Sequence, residues 1–248
     1  MTTILAGALL VLCLAALWWF VRRDRADYAA FKRFTATQDR QRRYRVWALK
    51  SFLLFAGGSL LCLWIVGRIA AIRTLPAVFD GLSAKAGSVL PASKLPSPDF
   101  LIGFGAAVLG GVVGGALIMA RMKTTRPMTL GDIEPMMPRN WAETAHTAVL
   151  ALNAGFSEEL FFRLLLPLLL TLVFRNAVAA FAIAAVIFGL VHMYQGIVGV
   201  LATTVLGVAF TVLYLWTGSL WIAMAVHASF DLLGLVVRPT FTRLLTKR

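Results

Sequence analysis

Two adjacent glutamates, with an arginine four residues after the second, stand inside an apolar stretch: Glu158-Glu159-Leu160-Phe161-Phe162-Arg163. A carboxylate at mid-membrane depth costs roughly 2.5–3.5 kcal/mol on insertion scales, so acids in such a setting face a protein interior or a hydrated cavity and mark function. Glu159 and Arg163 are an i,i+4 pair with the acid N-terminal, the favoured orientation for an ion pair along a helix. Glu158 lies about 100° around the same helix, and the residue four positions on is Phe162, not a cation. Two readings follow. One is a structural ion-pair cluster completed by other helices. The other is a working carboxylate, Glu158, beside a neutralised one, Glu159.

The chain has three histidines. His192 closes an apolar run, Phe188-Gly189-Leu190-Val191-His192, and shares a helix face with Phe188 at i,i+4. His227 stands within another, and Asp231 follows it by four residues, within reach to fix its ring. A single intramembrane histidine is often no more than a hydrogen-bonded interior residue. Polar sites on three separate apolar helices point instead to one polar pocket. His146 precedes Glu158 by twelve positions, about 120° around a helix, and reads as an interface residue.

Carboxylates and imidazoles together activate water. A buried Glu158 is placed to take a proton, His192 can hold the same water, and His227 with Asp231 can offer a donor to a developing oxyanion. That is the chemistry of peptide hydrolysis by a water nucleophile. Neither Gly-x-Ser-x-Gly nor His-Glu-x-x-His occurs. A glutamate and two histidines are also a ligand set that catalytic zinc accepts, and spacing across helices leaves that alternative open.

The elements that must position these groups are membrane helices. Of 248 residues, 60% are hydrophobic and 14% charged, with a mean hydropathy of +0.82, whereas soluble domains are nearer half apolar and a quarter charged. Apolar runs near 3–21, 46–66, 100–120, 177–194, 197–216 and 220–237 approach or reach bilayer-spanning length. The helix-permissive stretch 141–174, interrupted by Pro167, predicts a full helix through Arg163 and then a short or half-crossing one. The fold class is therefore all-α: one polytopic helical membrane bundle of seven to eight transmembrane helices. The run 100–120 is glycine-rich, and Gly111 with Gly115 forms a small-xxx-small pair that permits close helix contact.

The formal charge of +13 comes from Lys and Arg placed mainly in the connections, the positive-inside pattern, so no nucleic-acid partner is expected. The basic segment 22–45 reads as a cytoplasmic amphipathic helix with Tyr28, Phe31 and Phe34 dipping into the interface. The first run, with its arginines after it, suits an uncleaved helix whose N-terminus lies outside. Prolines 76, 91, 96 and 98 predict loop and short helix pieces over 68–99. Cys13 and Cys62 lie in apolar runs outside any metal-binding spacing and read as free thiols. Residues 1–140 form N-terminal membrane helices and amphipathic connections, 141–237 a catalytic helical core, and 238–248 a basic tail.

Glu-Glu-x-x-x-Arg, then Phe-x-x-x-His, then His-x-x-x-Asn/Asp, in that order on successive apolar helices, resembles the CAAX protease and bacteriocin-processing (CPBP, or Abi) family of intramembrane proteases. Glu158, Glu159 and Arg163 match the first element, Phe188 and His192 the second, His227 and Asp231 the third. The resemblance covers about 141–237. It implies a glutamate-dependent endopeptidase in which Glu158 and His192 activate water, His227 with residue 231 supports the oxyanion, and Glu159, Arg163 and Phe188 hold the site together. No essential metal or other cofactor is expected from it. Many prenyl-protein endopeptidases of the family carry Asn at the last position; here Asp231 stands there. An ionised Asp accepts hydrogen bonds and cannot donate as an amide does. Either it orients His227, or it is protonated, or the oxyanion falls to His227 alone.

The sequence thus points to an integral membrane endopeptidase, suited to a bacterial inner membrane, acting on a membrane-associated peptide or protein near the membrane interface. The alternative is a non-catalytic member, an immunity or peptide-binding membrane protein on the same fold. A proton-coupled transporter would show paired broken helices in two matching halves, and no such symmetry is present in the sequence.

Overall fold

The computed structural model describes residues 3–89 and 131–246, with isolated helical positions at Ala106, Gly110 and Gly114. The expected span 100–120, its Gly111–Gly115 pair, and the connecting residues 90–99 and 121–130 lie outside the described residues. Everything described is helix or short connection, with no strand among the described residues.

The elements are α1 (Thr3–Phe31), α2 (Thr37–Ser51) continued through a wide π turn into α3 (Gly58–Ile65), α4 (Asp80–Val89), α5 (Trp141–Glu159), α6 (Leu166–Phe174), α7 (Ala177–Val191), α8 (Gly196–Thr217), α9 (Leu220–Leu232) and α10 (Arg238–Thr246). Among the described residues, four helices are long and apolar enough to cross a membrane: Thr3–Phe31, Thr37–Ile65, Met193–Thr217 and Leu220–Leu244, with Ala177–Val191 a shorter apolar helix. Their outer faces are apolar and exposed, as at Leu12, Trp64 and Val205, the pattern of helices that meet hydrocarbon rather than water. Trp18 and Trp19 lie under the guanidinium groups of Arg22 and Arg23, an amphipathic anchor of the kind that marks a membrane–water boundary.

Two expectations change. The segment 22–45 is not one amphipathic helix on the surface. With no Pro or Gly to stop it, α1 runs on to Phe31, the chain turns at 32–36, and α2 returns. Tyr28 and Phe31 do not dip into the interface; they are buried against Tyr44 and Trp47. The stretch 141–174 does not divide into two helices. Pro167 has no N–H for the Arg163 carbonyl, and its ring would press on that carbonyl in an α-helix. A π turn over Leu160–Leu165 absorbs the conflict, and α5 passes into α6 without a break. Pro239 repeats this arrangement: Leu233–Val237 is a π turn, and the Leu235 carbonyl, which Pro239 cannot serve, accepts the Thr147 hydroxyl at 3.2 Å.

Helix limits follow local chemistry. Asn140 and Asn176 cap α5 and α7, their side chains accepting from Glu143 N at 2.9 Å and Ala179 N at 3.0 Å. Gly218 ends α8 in the left-handed region. The expected pieces after residue 68 are short 3-10 turns and α4. Cys13 and Cys62 are free thiols with sulfurs 3.9 Å apart. The largest core cluster gathers α1, α3, α6, α7, α8 and α9 around the wholly buried run Leu160–Leu166.

Candidate active site

Close packing of α5 on α9 creates the site. A Cβ on Gly155 would fall 2.5 Å from the Ala228 backbone nitrogen, so hydrogen alone fits between these helices. One turn beyond Gly155 comes Glu158; on α9, His227 and Asp231 flank Ala228. The α7–α8 contact is equally close, since a Cβ on Gly189 would overlap the Thr204 hydroxyl. That contact brings the Phe188 ring beside Gly207 of α8 and against Phe162 of the π turn, 5.1 Å between ring centres.

Glu159 and Arg163 form the buried centre, 0% and 1% exposed. Glu159 Oε2 lies 3.1 Å from Arg163 Nε, the intrahelical pair that the spacing predicts. Its other oxygen, Oε1, is 2.7 Å from His227 Nδ1. The guanidinium lies 4.2 Å from the Phe188 ring centre and 5.4 Å from that of Phe210. Its nitrogens have no hydrogen-bond partner among the described residues, so aromatic faces supply much of its environment. Phe210 also stacks on the His227 ring at 4.8 Å.

The three sequence elements meet here. Glu158, Phe188, His192, His227 and Asp231 all line one cavity of about 910 Å³. Glu158 Oε2 is buried with no hydrogen-bond partner among the described residues. His192 Nδ1 is 2.8 Å from the Phe188 carbonyl. A carbonyl only accepts, so Nδ1 carries the proton and Nε2 keeps its lone pair. Glu159, rather than Asp231, holds the His227 ring: the Asp231 Oδ2 to His227 Nε2 distance of 3.7 Å is beyond a hydrogen bond. His146 bonds the Ala142 carbonyl and is not part of the cavity lining. Among the described residues no group of three or more His, Cys, Asp or Glu side chains is arranged to hold a metal ion.

Sequence reasoning missed Phe210, one of 17 phenylalanines with no spacing to single it out. It also missed Asp24 and Tyr194, which line the same cavity. Their only signals are a carboxylate one turn past an apolar run and a tyrosine beside His192.

Comparison with known proteins is consistent with this geometry. The family profile described as type II CAAX prenyl endopeptidase Rce1-like matches residues 140–233. No curated protein and no solved structure matches. The matched stretch runs from the Asn140 cap to just beyond Asp231 and takes in all three sequence elements. Together with the long apolar helices, it makes the chain an integral membrane protein. Over residues 140–233, the stretch that carries the site, the chain is similar to the CAAX protease-like (CPBP) family of peptidases.

Proposed function

We propose that this protein is a glutamate-dependent intramembrane endopeptidase that cleaves a membrane-associated peptide or protein tail near the membrane interface. One observation carries the reading: Glu158 presents a buried, unpartnered carboxylate oxygen to a large cavity that His192 and His227 also line. A buried carboxylate without a partner is costly in a purely structural role and useful as a base.

In the proposed reaction, water sits between Glu158 and the free Nε2 of His192. Its oxygen attacks the scissile carbonyl carbon while its proton passes to Glu158. The new oxyanion lies towards His227. With a proton on Nε2 as well as Nδ1, that ring donates to the oxyanion while Glu159 steadies it from behind. The carbon–nitrogen bond then breaks, and Glu158 returns its proton to the leaving amine. Arg163 and Phe188 keep Glu159 and the rings in register. Asp231, an acceptor, supports the protonated His227 ring rather than the oxyanion itself. The resemblance that names prenylated CAAX tails favours a lipidated substrate; the cavity's mainly apolar lining suits one.

The same reading extends to the whole chain: residues 1–140 as N-terminal membrane helices, 141–237 as the reacting core, 238–248 as a basic end, seven to eight crossings in all, in a bacterial inner membrane. The test is comparative peptidomics of membranes carrying the wild-type or the Glu158→Ala protein. Peptides that appear only with wild type identify the substrate. Identical profiles, with the variant folded and inserted, would overturn the hydrolase reading in favour of a peptide-binding member of the family.

A further inference from the structure

The cavity is acidic in a basic protein. The chain holds 24 Lys and Arg against 11 Asp and Glu, yet the lining of the cavity carries Asp24, Glu158 and Asp231 against one guanidinium, Arg238. Glu158 and Asp231 belong to the reacting group. Asp24 does not. It comes from α1, outside the 140–233 core.

Asp24 also differs from its neighbour. Asp27 is held by Arg43 at 2.7 Å and Lys50 at 2.9 Å. No hydrogen bond or ion pair within 4 Å engages the Asp24 carboxylate among the described residues. Around it the lining is aromatic, with Phe20, Tyr28, Trp47 and Tyr194. Arg43 and Lys50, engaged directly by Asp27, act on Asp24 only at longer range, so this carboxylate, open to a ligand-sized space, keeps the capacity to take a cation in direct contact. A second cation-selecting force is present in the same rings.

We propose that Asp24 is a specificity-determining residue that selects a cationic side chain, Lys or Arg, on the substrate held in the cavity. This rests on the reading of the cavity as a peptide-cleaving site and names the class of peptide it takes: apolar, with one basic residue positioned to reach α1. The reacting groups stand on α5, α7 and α9, so the cationic residue is bound apart from the bond that is cut.

The test uses full-length protein in nanodiscs of zwitterionic phosphatidylcholine, where lipid charge does not concentrate cationic peptides. The probes are three acetylated, amidated apolar hexapeptides that differ at one central position, Lys, norleucine or Glu. The wild type should bind the Lys peptide about tenfold more tightly than the norleucine peptide, the effect of one charge-assisted hydrogen bond. Asp24→Asn, which keeps the shape, should make the two equal. Asp24→Lys should favour the Glu peptide. Equal binding by the wild type, no binding of any probe, or a Lys preference that survives Asp24→Asn overturns the assignment. Cleavage is scored separately. A Lys preference without any peptide cleavage in the membrane would sink the protease reading and leave Asp24 in its role. Cleavage indifferent to basic residues would do the reverse.

Discussion

Two buried glutamate–arginine pairs stand at opposite ends of α5, and they are built differently. At the first turn, Glu143 is 0% exposed and both its oxygens are used. Thr37 donates to Oε1 at 2.5 Å, and Arg40 Nε and the Arg139 backbone donate to Oε2 at 3.0 and 2.9 Å. Arg40 Nη2 shares its donors among the Tyr44 hydroxyl and the carbonyls of Pro135 and Met137. At the last residue, Glu159 meets Arg163 and His227, the guanidinium rests on phenylalanine rings, and the adjacent Glu158 keeps an unpartnered oxygen beside a cavity. A saturated network clamps α2 to α5. An unsaturated one leaves hydrogen-bonding capacity open to the cavity, which the proposed function assigns to water and substrate. Identical residue types thus serve different purposes, and the difference is read in hydrogen-bond accounting rather than in burial.

Four substitutions test this contrast, from the largest expected effect to the smallest. Glu158→Gln should slow cleavage of a membrane peptide about 10²–10⁴-fold, the usual worth of a general base. Its thermal unfolding in detergent should stay close to wild type, because no hydrogen bond is lost. Glu143→Gln should do the opposite. It leaves the Arg40 guanidinium buried beside a neutral amide, at a cost of about 3–5 kcal/mol, seen as a fall in unfolding midpoint and in membrane-inserted yield. Turnover per folded molecule should persist. If the two variants behaved alike, the distinction between clamp and reacting group would collapse.

Gly155→Ala comes next. The added methyl meets backbone at 2.5 Å and must part α5 from α9, at about 1–3 kcal/mol. Because the parted helices carry Glu158 and His227, cleavage should fall more than stability does, as measured by kcat beside unfolding midpoint. The smallest effect belongs to Thr147→Val, which strips the Leu235 carbonyl of its hydroxyl partner and should cost about 1 kcal/mol with little change in cleavage.

The contacts that gather the candidate site were largely legible in the sequence. Pairs at i,i+4 report contacts along one helix, so Glu159–Arg163 and Phe188–His192 could be read directly. Polar residues in apolar runs betray a shared pocket, which is how His227 joined them. Contacts between helices carry no such signature. The clamp joins residues 103 apart in sequence, and Arg40 read as one basic residue among many in a connection. The His227–Glu159 bond was missed for the same reason: Glu159 is 68 residues from His227 in sequence yet closer to its ring, at 2.7 Å, than Asp231 at 3.7 Å. Prolines misled in a definite way, since Pro167 marked a helix end that a wider turn made unnecessary.

That wider turn has a consequence for chain length. Five-residue hydrogen-bonded loops in the backbone hold one amino acid more than an ordinary helical repeat, so Leu160–Leu165 contains a spare. Removing Phe161 should tighten the loop while leaving the flanking cylinders in phase. With proline at 167 the tightened form would drive its ring into the carbonyl four residues back; with leucine there it would close. Deletion and imino acid are therefore linked, and a homologue that lacks one is expected to lack the other.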